Sequence, residues 1–348
     1  MLQKTDLSKY DPDGAALEDV GIFGLPLTAE ESSLILIPVP WEVTTSYGKG
    51  TAAGPRAILE ASPQLDLFDA ELGQLGLARP WEYGIHMEPE DPALVAANLE
   101  GCKLSAPIIA SGGRVAEGLE RVNEMSGQLN AWVTRRVRHW RNQGKIVGLV
   151  GGEHSTPFGA VEAFLEEYPG LGVLQIDAHA DLREAYEGFQ HSHASIMHNL
   201  VGTRIERLVQ VGVRDYCDSE YRLATSHPKI RTFFDFALKE RMCQGESWHS
   251  ICEEIVALLP ENVYVSFDID GLEPALCPHT GTPVAGGLRF HEAIYLLKTL
   301  HRAGKRLVGF DLNEVAPGPD GDQWDGNVGA RVLYKLCGLA LLSAGARD

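Results

Sequence analysis

Gly172-Val173-Leu174-Gln175-Ile176-Asp177-Ala178-His179-Ala180-Asp181 is the stretch that decides the fold. Its first half is a short run of β-forming residues behind a glycine. Its second half alternates Asp, His and Asp with alanines. If the chain stays extended there, Asp177, His179 and Asp181 share one side, because alternate side chains of a strand do. A short continuous apolar run predicts a strand buried on both faces of a parallel sheet. The same arrangement recurs twice. Ile146-Val147-Gly148-Leu149-Val150 leads into Gly151-Gly152-Glu153-His154, and Val263-Tyr264-Val265-Ser266-Phe267 leads into Asp268-Ile269-Asp270. Ligands of open α/β sheets bind beyond the carboxyl ends of the strands. Each cluster begins at that end, so three strands are expected to deliver six side chains to one rim.

Outward from these runs, strands and helices alternate. Strands are expected at 33–39, 146–150, 172–177, 207–213, 230–234, 263–268 and 306–312. Helices are expected from Arg56 and over 126–142, 157–168, near 194–201, and over 247–259, 290–303 and 328–343. That order predicts an α/β protein: a single three-layer α/β/α domain over residues 33–348 with a central parallel sheet. Residues 1–32 read as an N-terminal extension, and 80–113 as irregular. Over Ser126–Asn142, Leu129, Trp132, Val133, Val137 and Trp140 fall on one helical face. Gly48–Pro55 (GKGTAAGP) is a loop without the spacing of a phosphate-binding P-loop.

Four aspartates converging in one crevice repel one another and are costly to bury unless cations hold them. Two histidines among them make a mixed N/O donor set. That set suits Mn, Ni, Co or Zn better than Ca or Mg. Six donors suffice for two metals, and such pairs bring the pKa of a shared water toward neutrality. The net charge of −18 argues against a nucleic-acid partner, which needs basic stripes, and is compatible with cationic substrates. The six cysteines are irregularly spaced and form no C-x-x-C, so no disulfide framework is expected. The polar start of the chain lacks an apolar leader core, and the apolar stretch 328–344 is interrupted by Arg331 and Lys335. A cytoplasmic protein without a membrane partner is expected.

Five segments together resemble the ureohydrolases, the family of arginase and agmatinase. They are GGEH (151–154), DAHADLR (177–183), SFDIDGLEP (266–274), GTPVAGGL (281–288) and DLNEVAP (311–317). They stand in the family's order and span most of 33–343. The resemblance implies the arginase-like fold and two divalent ions. It also implies hydrolysis of a guanidino compound to urea plus ammonia or an amine by a metal-bridging hydroxide. One metal would take His154, Asp177, Asp181 and Asp268; the other His179, Asp177, Asp268 and Asp270. Asp181 would also orient the hydroxide. Glu314 matches the carboxylate that holds the guanidinium, His193 the proton shuttle to the leaving amine, and Thr282 a pocket-lining residue. His191 and His198 lie close to His193 in sequence. The resemblance also implies a homo-oligomer, a trimer or hexamer.

The chain departs from two patterns of the family. The polar residues that grip an amino-acid end after DAHxD in arginases are not found in Leu182-Arg183-Glu184-Ala185-Tyr186-Glu187-Gly188-Phe189. The His-Gly-Thr of agmatinases is His193-Ala194-Ser195 here, and there is an insertion near 101–140. Thr45–Thr51, Tyr186–Phe189 and Ser192–Ser195 look more like an agmatinase-like subgroup that includes nickel-dependent hydrolases of guanidine and small alkylguanidines. The expected substrate is therefore guanidine or a small alkylguanidine with Ni. The alternative is agmatine with Mn. A deacetylase of acylated polyamines, with one Zn, is disfavoured by the Glu314-Val315 pair. A silent partner subunit is disfavoured by the complete ligand set.

Overall fold

The Gly172–Ile176 run forms a fully buried strand near the middle of an eight-stranded sheet. In a computed structural model, residues 2–7, 10–12, 14 and 20–348 are described; part of the expected N-terminal extension thus lies outside the described residues. The strands are β1 (Leu34–Val39), β2 (Ile85–Met87), β3 (Ile146–Gly151), β4 (Gly172–Ile176), β5 (Arg207–Val213), β6 (Ile230–Phe234), β7 (Asn262–Asp268) and β8 (Arg306–Asn313). Their order is β2-β1-β3-β8-β7-β4-β5-β6, and every pairing is parallel. The chain leaves β3 for β4 and only later fills the gap between them with β7 and β8. That gap is the topological switch point, where crevices open at the strand ends.

Among the described residues, eleven helices cover the sheet: α1 (Gly54–Ala61), α2 (Ala70–Gly73), α3 (Pro92–Ala110), α4 (Leu119–Arg141), α5 (Phe158–Glu167), α6 (Ile196–Val201), α7 (Asp218–Ser226), α8 (Asp235–Cys243), α9 (Trp248–Ala257), α10 (Phe290–Arg302) and α11 (Trp324–Ser343). Strand alternation divides the core in two. Leu34 and Leu36 face Ile58, Ile255, Leu297 and Leu333, whereas Ile35, Ile37 and Val39 face Val133, Val137, Phe164 and Met197. The result is the expected α/β/α sandwich with a parallel sheet. Ile22, Phe23 and Leu25 are buried in the first of these cores, with the Phe23 ring edge-on to Tyr334.

Residues 80–113, expected to be irregular, contain β2 and α3. Helix α3 carries Gly101 and Pro107 and many small residues, so its apolar stripe is weak in sequence. Its length and apolarity alone would allow a membrane crossing. Here Leu94 and Ile108 join the core beside α4. Helix α4 begins seven residues earlier than its strongest apolar periodicity, at Leu119 rather than Ser126. Helices α7 and α8 were not expected. Helix α7 is announced by a capping box, in which Glu220 Oε2 accepts the Cys217 N–H at 2.9 Å. All six cysteines are free.

Candidate metal centre

Four adjacent central strands, β3, β8, β7 and β4, end side by side. The register sets Ile176 beside Phe267 and Asp268 beside Asn313, so Asp177, Asp268 and Glu314 leave the sheet at one level. Loop shape then turns the side chains inward. The stretch after β4 does not stay extended: the chain bends at Ala178, and Asp181 adopts the left-handed backbone (φ 52°). Glu314 does the same (φ 63°). Such conformations are uncommon for residues other than glycine, and they cluster where function over-determines geometry. The glycines before His154 have a steric reason. A Cβ on Gly151 would lie 1.7 Å from Asn313 Oδ1, and one on Gly152 would lie 2.0 Å from the Trp41 carbonyl oxygen.

All six expected ligands converge. His154 Nδ1 lies 2.8 Å from Asp177 Oδ2 and 3.2 Å from both Asp181 Oδ2 and Asp268 Oδ2. His179 Nδ1 lies 3.0 Å from Asp270 Oδ2 and 3.6 Å from Asp177 Oδ1. Two ligand groups result, His154-Asp177-Asp181 and Asp177-His179-Asp270, which share Asp177. Except for half-buried His179, all are buried.

The hydrogen bonds assign protons in this cluster. Ser266 donates its hydroxyl to Asp311 Oδ1 (3.0 Å) and so accepts from His154 Nε2–H (2.8 Å). The lone pair of His154 is then on Nδ1, buried, without a donor, and facing three carboxylate oxygens. Lone pair against carboxylates is repulsive unless a cation lies between them. The donor set, two imidazoles with four carboxylates, fits first-row divalent ions. Without them, protons take that place. Burial disfavours the charged histidines, but the facing carboxylates outweigh it and raise His154 and His179 well above the usual imidazole range. Burial and neighbouring carboxylates raise Asp268 strongly and Asp181 to about 7. Burial also opposes ionisation of Asp177, yet its bonds with both histidines hold it below the ordinary range.

Beneath the ligands lies a polar layer inside the apolar strands. Gln175 Nε2 donates to Asp177 Oδ2 at 2.7 Å. Gln210 Nε2 donates to Gln175 Oε1 at 2.6 Å, and Thr232 donates to Gln210 Oε1 at 2.7 Å. Sequence reasoning assigned none of these a role. The available signal was a lone polar residue within an apolar strand: Gln175 in β4, Gln210 in β5, Ser266 in β7 and Asp311 in β8.

Five of the six expected ligands, all but Asp177, floor a cavity of about 440 Å³ that is also lined by His193, Thr282 and Glu314. Burial, then the Glu153 charge, pushes Glu314 well above the ordinary carboxylate range. Its Oε1 accepts the His154 backbone N–H at 2.8 Å. Thr282 lines the wall, while the hydroxyl that grips the Glu314 backbone belongs to Thr280 (2.7 Å to the carbonyl oxygen). Among the three neighbouring histidines, His193 lines the cavity, whereas the His191 ring packs 5.1 Å from Phe158. Burial pushes the His193 imidazole down to about 3, with the His179, Lys49 and His154 charges adding to it. The wall also holds Tyr47, Arg183, Tyr186, Asp215 and Tyr216, which had no expected role. Arg183 stacks over the Tyr186 ring at 4.7 Å.

The Arginase family matches residues 32–338. An N(1)-aminopropylagmatine ureohydrolase of Thermus thermophilus is 33% identical over 316 residues, covering 91% of this chain and 93% of the relative. A protein of the same name from Synechocystis is 31% identical, covering 88% of this chain and 89% of the relative. In fold, the crystal structure of a hypothetical agmatinase from Burkholderia thailandensis superposes with a TM-score of 0.72 at 22% identity, covering 96% and 94% of the two chains. The chain belongs to the arginase family and is an agmatinase-like ureohydrolase, a metal-dependent hydrolase of C–N bonds.

Proposed function

We propose that the chain hydrolyses a guanidino compound with an amine-ended alkyl tail to urea and the corresponding amine. The observation that carries this reading is the buried Glu314 carboxylate in the same cavity as the His/Asp cluster. A planar guanidinium facing a carboxylate forms a strong charge-assisted pair. That pair would hold the guanidinium carbon above the cluster. His154, Asp177, Asp181 and Asp268 would hold one divalent ion, and His179, Asp177, Asp268 and Asp270 the other, either Mn or Ni. When bound, the ions supply a water acidified toward neutral pH. Asp181 would orient that water as the nucleophile. Water adds to the guanidinium carbon and the C–N bond to the tail breaks. His193 would carry a proton to the departing nitrogen, so guanidinium plus water becomes urea plus an alkylammonium ion. Thr282 would line the path of the tail.

The tail is supported by the cavity, which is far larger than a guanidinium, and by its rim of Tyr47, Tyr186, Tyr216 and Asp215. Aromatic faces and a carboxylate suit an alkylammonium chain. The names of the two bacterial relatives agree with it. A second reading, guanidine or a small alkylguanidine, is favoured by the tight seating of the 42–50 loop. The Gly48 N–H donates to the Gly281 carbonyl at 3.1 Å, and Gly281 in turn lies against Glu314. A cytoplasmic homo-oligomer, with residues 33–348 as the hydrolase domain and 1–32 as an extension, completes the proposal.

Urea release from guanidine, methylguanidine, agmatine, N(1)-aminopropylagmatine, guanidinobutyrate and arginine, each with Mn and with Ni, decides between the readings. Preference for agmatine or its aminopropyl derivative is expected. Preference for guanidine selects the second reading, and no urea from any compound overturns both.

A further inference from the structure

Glu153 precedes His154 of the cluster, and its side chain is hydrogen-bonded to Thr44 and Ser155 rather than to the cluster residues. It is fully buried. Its Oε1 accepts the hydroxyls of Ser155 (2.7 Å) and Thr44 (2.9 Å), and its Oε2 accepts the Thr44 backbone N–H (2.8 Å). Three groups donate to it. The hydroxyl proton of Thr44 is therefore committed to Glu153, and what Thr44 offers elsewhere is lone pairs.

Both lone pairs meet His193. Thr44 Oγ1 accepts the His193 backbone N–H at 3.1 Å and lies 3.3 Å from His193 Nδ1. An acceptor facing Nδ1 selects the tautomer with the proton on Nδ1. The other hydroxyl near that nitrogen, Ser192 Oγ, is farther away at 3.4 Å; it accepts the Ala194 N–H at 3.2 Å and keeps its own proton, so it is the competitor that favours the opposite tautomer. His193 Nε2 has no hydrogen-bond partner among the described residues, and the ring lines the cavity. The Tyr186 ring stands edge-on to the imidazole, with centroids 6.0 Å apart.

We propose that Glu153 and Thr44 are positioning residues that fix His193 as the Nδ1–H tautomer and present the Nε2 lone pair to the reacting group. The chain of contacts runs from a buried acceptor, through one hydroxyl, to the ring. It orients the ring through the backbone contact and sets its proton through the side-chain contact. The arrangement is a hydroxyl-relayed counterpart of the carboxylate that holds a catalytic imidazole in the correct tautomer. The inference rests on the reading of His193 as the proton carrier.

Thr44→Val removes the hydroxyl at nearly constant shape, and Thr44→Ser restores it. Protein loaded with zinc, which is diamagnetic, and labelled with ¹⁵N-histidine reports the tautomer through the imidazole nitrogen shifts, His193 being identified as the signal lost in His193→Asn. The wild type and Thr44→Ser are expected to show protonated Nδ1 and bare Nε2, and Thr44→Val a mixture or the opposite tautomer. With the best guanidino substrate of the panel, Thr44→Val should lower kcat about 10-fold or more, with KM changed less than about twofold; Thr44→Ser should recover most of it. Metal content should equal wild type in all three. A wild-type protein with the proton on Nε2 overturns the proposal. So does a Thr44→Val protein with unchanged tautomer, or a Thr44→Ser protein as impaired as Thr44→Val, which would indicate packing alone. If no compound is turned over, the reading of the reaction fails, while the nitrogen shifts still decide the positioning.

Discussion

The backbone N–H of His154 donates to Glu314 Oε1 at 2.8 Å, so the first histidine of the cluster and the carboxylate proposed to grip the substrate are fixed to each other. The bond occupies one lone pair of Glu314 and leaves Oε2 and the remaining lone pair to the cavity. It also means that a substitution at Glu314 must keep an acceptor to leave His154, a candidate metal ligand, in place.

Glu314→Gln keeps that acceptor and removes the charge. It should lower kcat/KM by about 10²-fold, equivalent to roughly 3 kcal/mol, with metal content unchanged. Burial holds the Glu314 pKa well above the ordinary range, and only its ionised form attracts a guanidinium. KM should therefore rise as pH falls through that raised value, and this acid limb should vanish in Glu314→Gln. Steady-state kinetics across pH check both. A pH-independent KM in the wild type would remove Glu314 from recognition.

His193→Ala should lower kcat by up to about 10²-fold, the lower range of proton-transfer contributions, while both metals stay bound. Elemental analysis separates this from a ligand role, in which metal would be lost.

Metal loading should expel protons, because His154 and His179 are raised by the carboxylates that face them and must be neutral to coordinate. The sign follows: affinity for Mn or Ni weakens as pH falls through those raised values. Calorimetry in two buffers of different ionisation heat measures the proton count, and equal heats would contradict it. Chelation should lower Tm and added metal restore it, since a ligand that binds only the folded chain stabilises it. Asp268→Asn should hold fewer than two ions per chain.

Gln175→Leu removes the amide that donates to Asp177 while leaving all six ligands. Metal affinity should fall about 10- to 100-fold, as for other residues that orient a ligand, with the fold retained by circular dichroism. Unchanged affinity would show that Asp177 is held by the strand end alone.

The three strands that carry the clusters, and the convergence of their six carboxylate and imidazole side chains, were legible in sequence because each cluster closes an apolar run, and the parallel register then aligns those ends without further information; β2 was not. That Glu314 and His193 would line the same cavity as the cluster was legible only through resemblance, since a lone Glu or His after a strand has many explanations. The bend at Asp181 was not legible. Aspartate gives no notice of a left-handed backbone as glycine does, so the sequence offered the one-sided arrangement only on the condition that the stretch stay extended, and the chain turns there. Helix α3 was missed for the opposite reason. Gly101 and Pro107 are read as breakers, yet Gly101 lets Val43 approach, its absent Cβ falling 2.6 Å from a Val43 methyl. The layer of Gln175, Gln210 and Ser266 was visible as polar residues in buried strands, but nothing in sequence says toward which neighbour they point.

Strand order has a consequence for assembly. The donors come from β3, β4 and β7, and Glu314 follows β8. β3 is made early in the chain, and β8, its neighbour in space, nearly last; His154 and Glu314 are 160 residues apart. No fragment that lacks the last strand can hold His154 in register with its partners. Ion uptake is therefore expected to follow closure of the sheet's centre. Ions held by these donors would tie the end of β3 to the ends of β4 and β7, across the intervening β8. Amide exchange in β3, β8, β7 and β4 should slow together on metal addition, while the edge strands β2 and β6 continue to open on their own.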